Sequence, residues 1–220
     1  LEGRQLLSVS VGVQLQVVDS GGNPVSNLSV GEDFTLNVYV QDQSQPTQTG
    51  VQQAYVDVTY ASSQASVNGT LTHGPDYDQD RGIEPVLTPG SITDAGDYET
   101  LGSAPNPPGG SYLLFSVPFV AEAAGSLSFV GSLPSSANEQ VQLFGSTSSV
   151  PASEISFTNA SVTVNSGPLP PSAPVLETSE DTGPFQTADL TNITTPLTFT
   201  GTAPAGNTVT LYSGITQVGT

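Results

Sequence analysis

The chain has no cysteine, no methionine, no tryptophan and no lysine, and its cationic side chains are Arg4, Arg81 and, when protonated, the single His73. Each absence closes off some chemistry. Without cysteine there is neither a disulfide framework nor a thiolate metal site, so stability must come from packing or from an ion held by oxygen ligands. Two arginines against 20 acidic residues give a formal net charge of −18. No cationic surface is left to displace counterions from phosphates, which excludes nucleic acid and anionic membrane surfaces as partners. Without tryptophan, the largest aromatic platform for a sugar ring is missing. No run of 18 apolar residues is present, so no helix is expected to span a membrane. Charge of either sign is scarce, at 10% of residues against roughly 25% in an average soluble domain. Ser, Thr, Asn and Gln must therefore carry much of the solubility.

What the chain does have is alternation. Hydrophobic residues make up 35%, with 23 glycines and 18 prolines, a composition that favours short strands and turns over long helices. The apolar residues come in alternating clusters, which argues against disorder. Val11, Val13, Leu15 and Val17 share a parity and run into the turn Asp19-Ser20-Gly21-Gly22-Asn23-Pro24. Phe34, Leu36, Val38 and Val40 alternate with Thr35, Asn37 and Tyr39, as a half-buried strand does. Residues 51–60 predict a strand with Val56, Val58 and Tyr60 inward and Asp57 and Thr59 outward. Further strands are expected over 66–71, 112–120, 125–133, 140–144 and 155–164. In the second of these, Leu113, Phe115, Val117 and Phe119 share the inner parity and Tyr112 the outer. About eight or nine turn-bounded strands make an all-β, two-sheet sandwich. The Asp-, Gly- and Pro-rich segment from Leu71 to Ser111 is expected to cover one end of it, with a short strand near Ser91–Ile92.

Residues 166–174 contain four prolines and read as a stiff, extended linker. The organisation is thus residues 1–8, a first domain over 9–165, the linker, and a second pattern over 175–220. In the last, Leu197 and Phe199, then Val209, Leu211 and Val218, flank a turn over 203–207. These are too few strands to close a sandwich. The chain opens without an initiator Met or an export signal and reads as a fragment. Its acidic, Ser/Thr-rich, lysine-free composition resembles that of exported bacterial surface proteins, which places it outside the cell.

Three stretches resemble known families. Leu1-Glu2-Gly3-Arg4-Gln5-Leu6-Leu7-Ser8 is similar to a short signature near the start of large secreted bacterial proteins. Residues 9–165 resemble a cohesin module. The likeness is carried by Val30-Gly31-Glu32-Asp33-Phe34, Val38–Asp42, Gly50-Val51, Ala54–Tyr60, the 90–96 segment, Leu114–Phe119 and Ala123-Ala124-Gly125. That resemblance implies a nine-stranded jelly-roll sandwich, an architecture shared with some carbohydrate-binding modules, and a dockerin-like protein partner. Residues 173–220 are similar to the front half of a bacterial immunoglobulin-like repeat. Ala173–Leu176, Asp181-Thr182-Gly183, Thr191–Thr194, Thr198–Ala203, Gly206–Tyr212 and Val218-Gly219-Thr220 carry it. It implies a truncated second sandwich of the kind repeated in adhesins, with calcium held by Glu180, Asp181 and Asp189 near the junction.

The remaining motifs are weaker. Asp76, Asp78 and Asp80 have the two-residue spacing of the first half of a calcium loop, but Arg81 stands where the turn glycine belongs and Leu87 where a bidentate Glu belongs. The alternative is a solvated acidic loop neutralised by Arg81. Asp181-Thr182-Gly183 spells an aspartic-protease triplet, yet that chemistry needs two facing copies, and one is present. A plain turn is the simpler reading. His73 has no Gly-x-Ser-x-Gly elbow to serve. Tyr39, Tyr55, Tyr77, Tyr98 and Tyr112 are the candidates left for sugar stacking, with Tyr55 equally suited to the core. The sequence therefore reads as a non-catalytic extracellular module for adhesion or protein docking. A carbohydrate-binding module is the second reading and a calcium-stabilised spacer the third.

Overall fold

The computed structural model describes residues 8–77, 79, 83–99, 107–135, 140–167, 171–183, 191–194, 196–203 and 208–220. The chain divides into two compact units, Leu1–Ser166 and Gly167–Thr220. In the first, the alternating segments form β1 (Val11–Val18), β2 (Asn27–Ser29), β3 (Asp33–Asp42), β4 (Val51–Tyr60), β5 (Ala65–Val67), β6 (Thr72–His73) and β7 (Val86–Thr88). They continue as β8 (Ser91–Tyr98), β9 (Ser111–Ala121), β10 (Gly125–Ser132), β11 (Gln142–Leu143), β12 (Ile155–Thr158) and β13 (Ala160–Asn165). A six-stranded sheet runs β12-β1-β3-β9-β5, with β6 also on β9; a seven-stranded sheet runs β2-β13-β10-β4-β8-β7, with β11 on β4. Pairing is antiparallel except for β1–β12 and β2–β13. The two sheets enclose one core, and the unit is a jelly-roll β-sandwich.

Alternation builds that core. Val11, Val13, Leu15 and Val17 of β1, and Phe34, Leu36, Val38 and Val40 of β3, are all buried. They face Val56, Val58, Leu127 and Phe129 of the other sheet. At the centre, the ring of Phe119 lies 5.0 Å from Tyr60, 5.1 Å from Phe129 and 5.5 Å from Phe34 between centroids. Such stacked and edge-on contacts add to what area burial alone contributes.

Four expectations need correction. The single strand over 155–164 is two: β12 joins the six-stranded sheet beside β1, and β13 joins the seven-stranded sheet beside β10. Asn159 sits at the crossing, and its Oδ1 accepts the Gly131 N–H at 3.0 Å. The run over 66–71 divides into β5 and β6, both against β9, with Gly69 at φ 156° between them. In β9, Val38 pairs with Phe115 but Tyr39 pairs with Leu113, so Leu114 is an inserted bulge residue. The bulge reverses parity. Leu113 moves to the outer side, and Tyr112 falls opposite buried Val40 and packs against the core. The short strand near Ser91 is eight residues long, and it pairs with β7 and β4.

In the second unit β14 (Val175–Leu176) pairs with β15 (Phe199–Thr200), and β16 (Leu211–Ser213) with β17 (Thr216–Gly219). Leu176 is buried, whereas Val175, Phe199, Val209, Tyr212, Ile215 and Val218 are exposed.

Candidate docking surface

Cross-strand register decides what the outer face of the seven-stranded sheet presents. Val130, Thr59, Ser91 and Thr88 stand in one row across β10, β4, β8 and β7. Adjacent strands lie about 4.8 Å apart, so this row is about 14 Å wide. The next row holds Ser132 and Asp57, then the bulge of β8, then Val86. Ser128 and Ser161 continue the face on β10 and β13, with hydroxyls 3.3 Å apart. Val130 and Val86 are 44% and 50% exposed. The result is a flat, hydroxyl-rich surface with two apolar points.

Between those points sit two carboxylates. In β8, Thr93 and Asp94 together stand opposite the single Asp57 of β4, and Asp94 takes a left-handed φ of 58°. Among non-glycine residues, Asp is one of the few that tolerate this backbone. The bulge aims the Asp94 N–H at Asp57 Oδ1, 2.8 Å away. Burial raises the Asp57 carboxyl above its ordinary range; the Asp94 N–H bond opposes this, and the Asp94 charge adds to it. A cation brought to this pair would relieve both the burial cost and the repulsion.

The far half of the same face is closed. Tyr55 is fully buried there, Gln53 Nε2 donates to the Gln140 carbonyl at 3.1 Å, and Gly96 lies opposite Tyr55. A Cβ on Gly96 would fall 2.0 Å from the Ala54 carbonyl oxygen, so glycine is required at this crossing.

A cleft of about 660 Å³ opens between residues 44–49 and 143–151, with Val9, Pro46, Leu143, Phe144 and Val150 on its apolar side. Among the described residues, no acid, base or cation lines it. Its first wall is set by Asp42, a fully buried carboxylate that accepts the N–H groups of Ser44, Thr49 and Gly50 at 2.9, 2.7 and 3.0 Å. Sequence reading missed Asp42, although an Asp at the end of a strand and before a turn-rich run is a common loop organiser.

The candidate metal ligands are placed as follows. Asp76 lies in a turn beside buried Tyr77, whose hydroxyl donates to the Val51 carbonyl at 2.9 Å. Burial, and then the charges of Glu99 and Asp76, push the Tyr77 phenol well above its usual range. The phenol of Tyr112 is raised by burial and by the same two acids. Asp78, Asp80, Arg81, Gly82 and Asp189 lie outside the described residues. Glu180 accepts the Thr198 N–H at 2.5 Å and the Thr198 hydroxyl at 3.4 Å. Asp181 is 7% exposed; its Oδ1 accepts the Gly183 N–H at 3.1 Å, and its Oδ2 meets no hydrogen-bond partner among the described residues. Among the described residues no three His, Cys, Asp or Glu side chains gather as a group that could hold a metal ion. His73 Nδ1 is 3.8 Å from Asp97 Oδ2 at one end of the sandwich. No described hydroxyl is hydrogen-bonded to His73.

No protein-family model and no curated protein matches the chain. Solved structures do. A type II cohesin domain from Acetivibrio cellulolyticus is similar at 14% identity over 70% of this chain and 95% of its own, with a TM-score of 0.49. The seventh ScaB type I cohesin of Pseudobacteroides cellulosolvens is similar at 13% identity over 72% and 94%, with a TM-score of 0.45. The third cohesin ScaC of Acetivibrio cellulolyticus, solved in complex with the ScaB dockerin, is similar at 10% identity over 72% and 99%, with a TM-score of 0.42. The solved structures that this chain is similar to are cohesin modules.

Proposed function

We propose that the first unit is a non-catalytic, cohesin-like docking module of a secreted or cell-surface protein. Its partner is a protein, and the exposed half of the seven-stranded sheet is where that partner sits. The observation that carries this reading is the row Val130–Thr59–Ser91–Thr88 beside the Asp57–Asp94 pair. A flat face with apolar points amid groups that exclude water is the anatomy of a protein interface. The acid pair calls for a cation on the other side. This chain has two arginines and no lysine, so a second copy of itself is poorly suited to supply one, and a different protein is favoured. The cohesin-like residues at 30–34, 38–42, 50–51, 54–60, 90–96, 114–119 and 123–125 support a dockerin-like partner. The described lining of the cleft, polar but free of acids and bases, supports a binding role over a catalytic one.

Surface plasmon resonance against a panel of calcium-loaded type I and type II dockerins tests this. Saturable binding is expected from at least one member, with Val130→Asp weakening it about tenfold or more. Absence of binding across the panel, or binding indifferent to Val130→Asp, would refute the reading.

A further inference from the structure

The outer face of the six-stranded sheet has a different chemistry. Its register sets Gln14 beside Tyr39, Gln16 beside Asn37 and Gly12 beside Gln41. The hydroxyls of Ser156 and Thr158 on β12 extend two of these rows. The chain carries 20 acidic residues, yet none stands in these three rows. They hold side-chain amides, hydroxyls, one phenol ring and, beside Tyr39 on β9, the half-buried Leu113.

Several groups on this face are held by hydrogen bonds. Asn37 Nδ2 donates to the Tyr39 hydroxyl at 3.2 Å, Gln43 Nε2 to Gln41 Oε1 at 3.2 Å, and Gln41 Nε2 to the Gly109 carbonyl at 2.8 Å. Gly12 leaves room for this. A Cβ there would fall 2.5 Å from Gln43 Nε2, so the missing side chain lets the Gln43 amide lie over the strand. Beside it, Gln14, Tyr39 and Gln41 wall a shallow groove of about 70 Å³. Of the other tyrosines on the first unit, Tyr55, Tyr60 and Tyr77 are buried, Tyr98 is half-buried at the end of β8 in the other sheet, and Tyr112 packs against the core with its hydroxyl on the Pro107 carbonyl. Tyr39 is the tyrosine on the outer face of the six-stranded sheet.

A ligand for this surface must satisfy amides that both donate and accept. An apolar partner would leave them without hydrogen bonds, at a cost for each group. An ionic ligand would meet no countercharge. Vicinal hydroxyls donate and accept as amides do, and the apolar side of a pyranose ring covers an aromatic face. We propose that this face binds an uncharged polysaccharide, laid across β1 and β3 with Tyr39 beneath one ring and Gln14, Gln16 and Gln41 at the ring edges. This site lies on the opposite sheet from the proposed protein-docking face and does not depend on it.

Affinity electrophoresis of the full chain tests the site, with gels containing a neutral β-glucan, galactomannan or starch, or the acidic polymers alginate and polygalacturonate. At least one neutral polymer is expected to retard migration, and neither acidic polymer is. Tyr39→Ala and the double substitution Gln14→Ala with Gln16→Ala should each weaken retardation about tenfold, whereas Val130→Asp on the other sheet should leave it unchanged. The double substitution carries the test if Tyr39→Ala fails to fold. No retardation by any neutral polymer, retention that survives both substitutions, or retardation by acidic polymers alone would overturn the proposal. So would dimerisation in light scattering that Tyr39→Ala abolishes, because the face would then be covered by a second copy.

Discussion

At the scale of residues, buried polar groups fix the loops and set the character of the surface. Asp42 draws three backbone N–H groups into one loop wall, and Tyr77 supplies the donor that a buried Val51 carbonyl needs. Asp57 differs because burial acts against its charge. A carboxyl whose pKa is raised by folding favours the native state when protonated. The stability it subtracts is absent below the unfolded value near 4, accrues as the pH rises towards the folded pKa, and is complete above it. Asp57→Asn keeps an oxygen for the Asp94 N–H and removes the charge. The variant should therefore melt higher than the parent at pH 7, with the difference vanishing near pH 3; thermal melts at the two pH values measure it. An unchanged or lower melting temperature at pH 7 would mean that the charge is not penalised in the fold. None of these roles was legible in sequence, since an Asp in an alternating strand reads as an outward residue whether solvent or a bulge surrounds it.

At the scale of elements, parity carried most of the fold and failed where the backbone adds a residue. The inward sets in β1 and β3 are those that alternation assigns. The break within 155–164 was present in the sequence, because Ile155 and Phe157 have odd parity and Ala160, Val162 and Val164 even parity. A strand that changes parity without a turn has crossed from one sheet to the other. The β9 bulge leaves no such trace, because Leu113, Leu114 and Phe115 are all apolar. Burial distinguishes them. Phe115→Ala should cost about 3–5 kcal/mol, as expected for a fully buried ring, whereas half-buried Leu113→Ala on the outer side should cost about 1 kcal/mol. Urea unfolding of the two variants separates these values. Equal losses would place Leu113 on the core face and remove the bulge.

At the scale of the whole molecule, two sheet faces carry different chemistries on one sandwich. One has apolar points and an acid pair, and the other has, over β1 and the middle of β3, amides and a phenol, with the carboxylate of Asp33 at the far end of β3. The sandwich class and the linker composition could be read from alternation and proline content. Which face holds what could not, because it depends on register, and register is set by bulges and by the sheet-crossing at Asn159. Of the candidate calcium ligands, Glu180, Asp181 and Asp189 rest on a resemblance and Asp76, Asp78 and Asp80 on their spacing, and Asp78, Asp80 and Asp189 lie outside the described residues. The central claim is that the seven-stranded sheet docks a protein partner. Amide hydrogen exchange of the chain, alone and with calcium-loaded dockerins of both types, tests it most directly. Added protection is expected over 57–59, 86–94 and 126–132 with at least one dockerin, and no change is expected over 12–16 and 37–41. Absent protection, or protection confined to β1 and β3, would contradict the docking face.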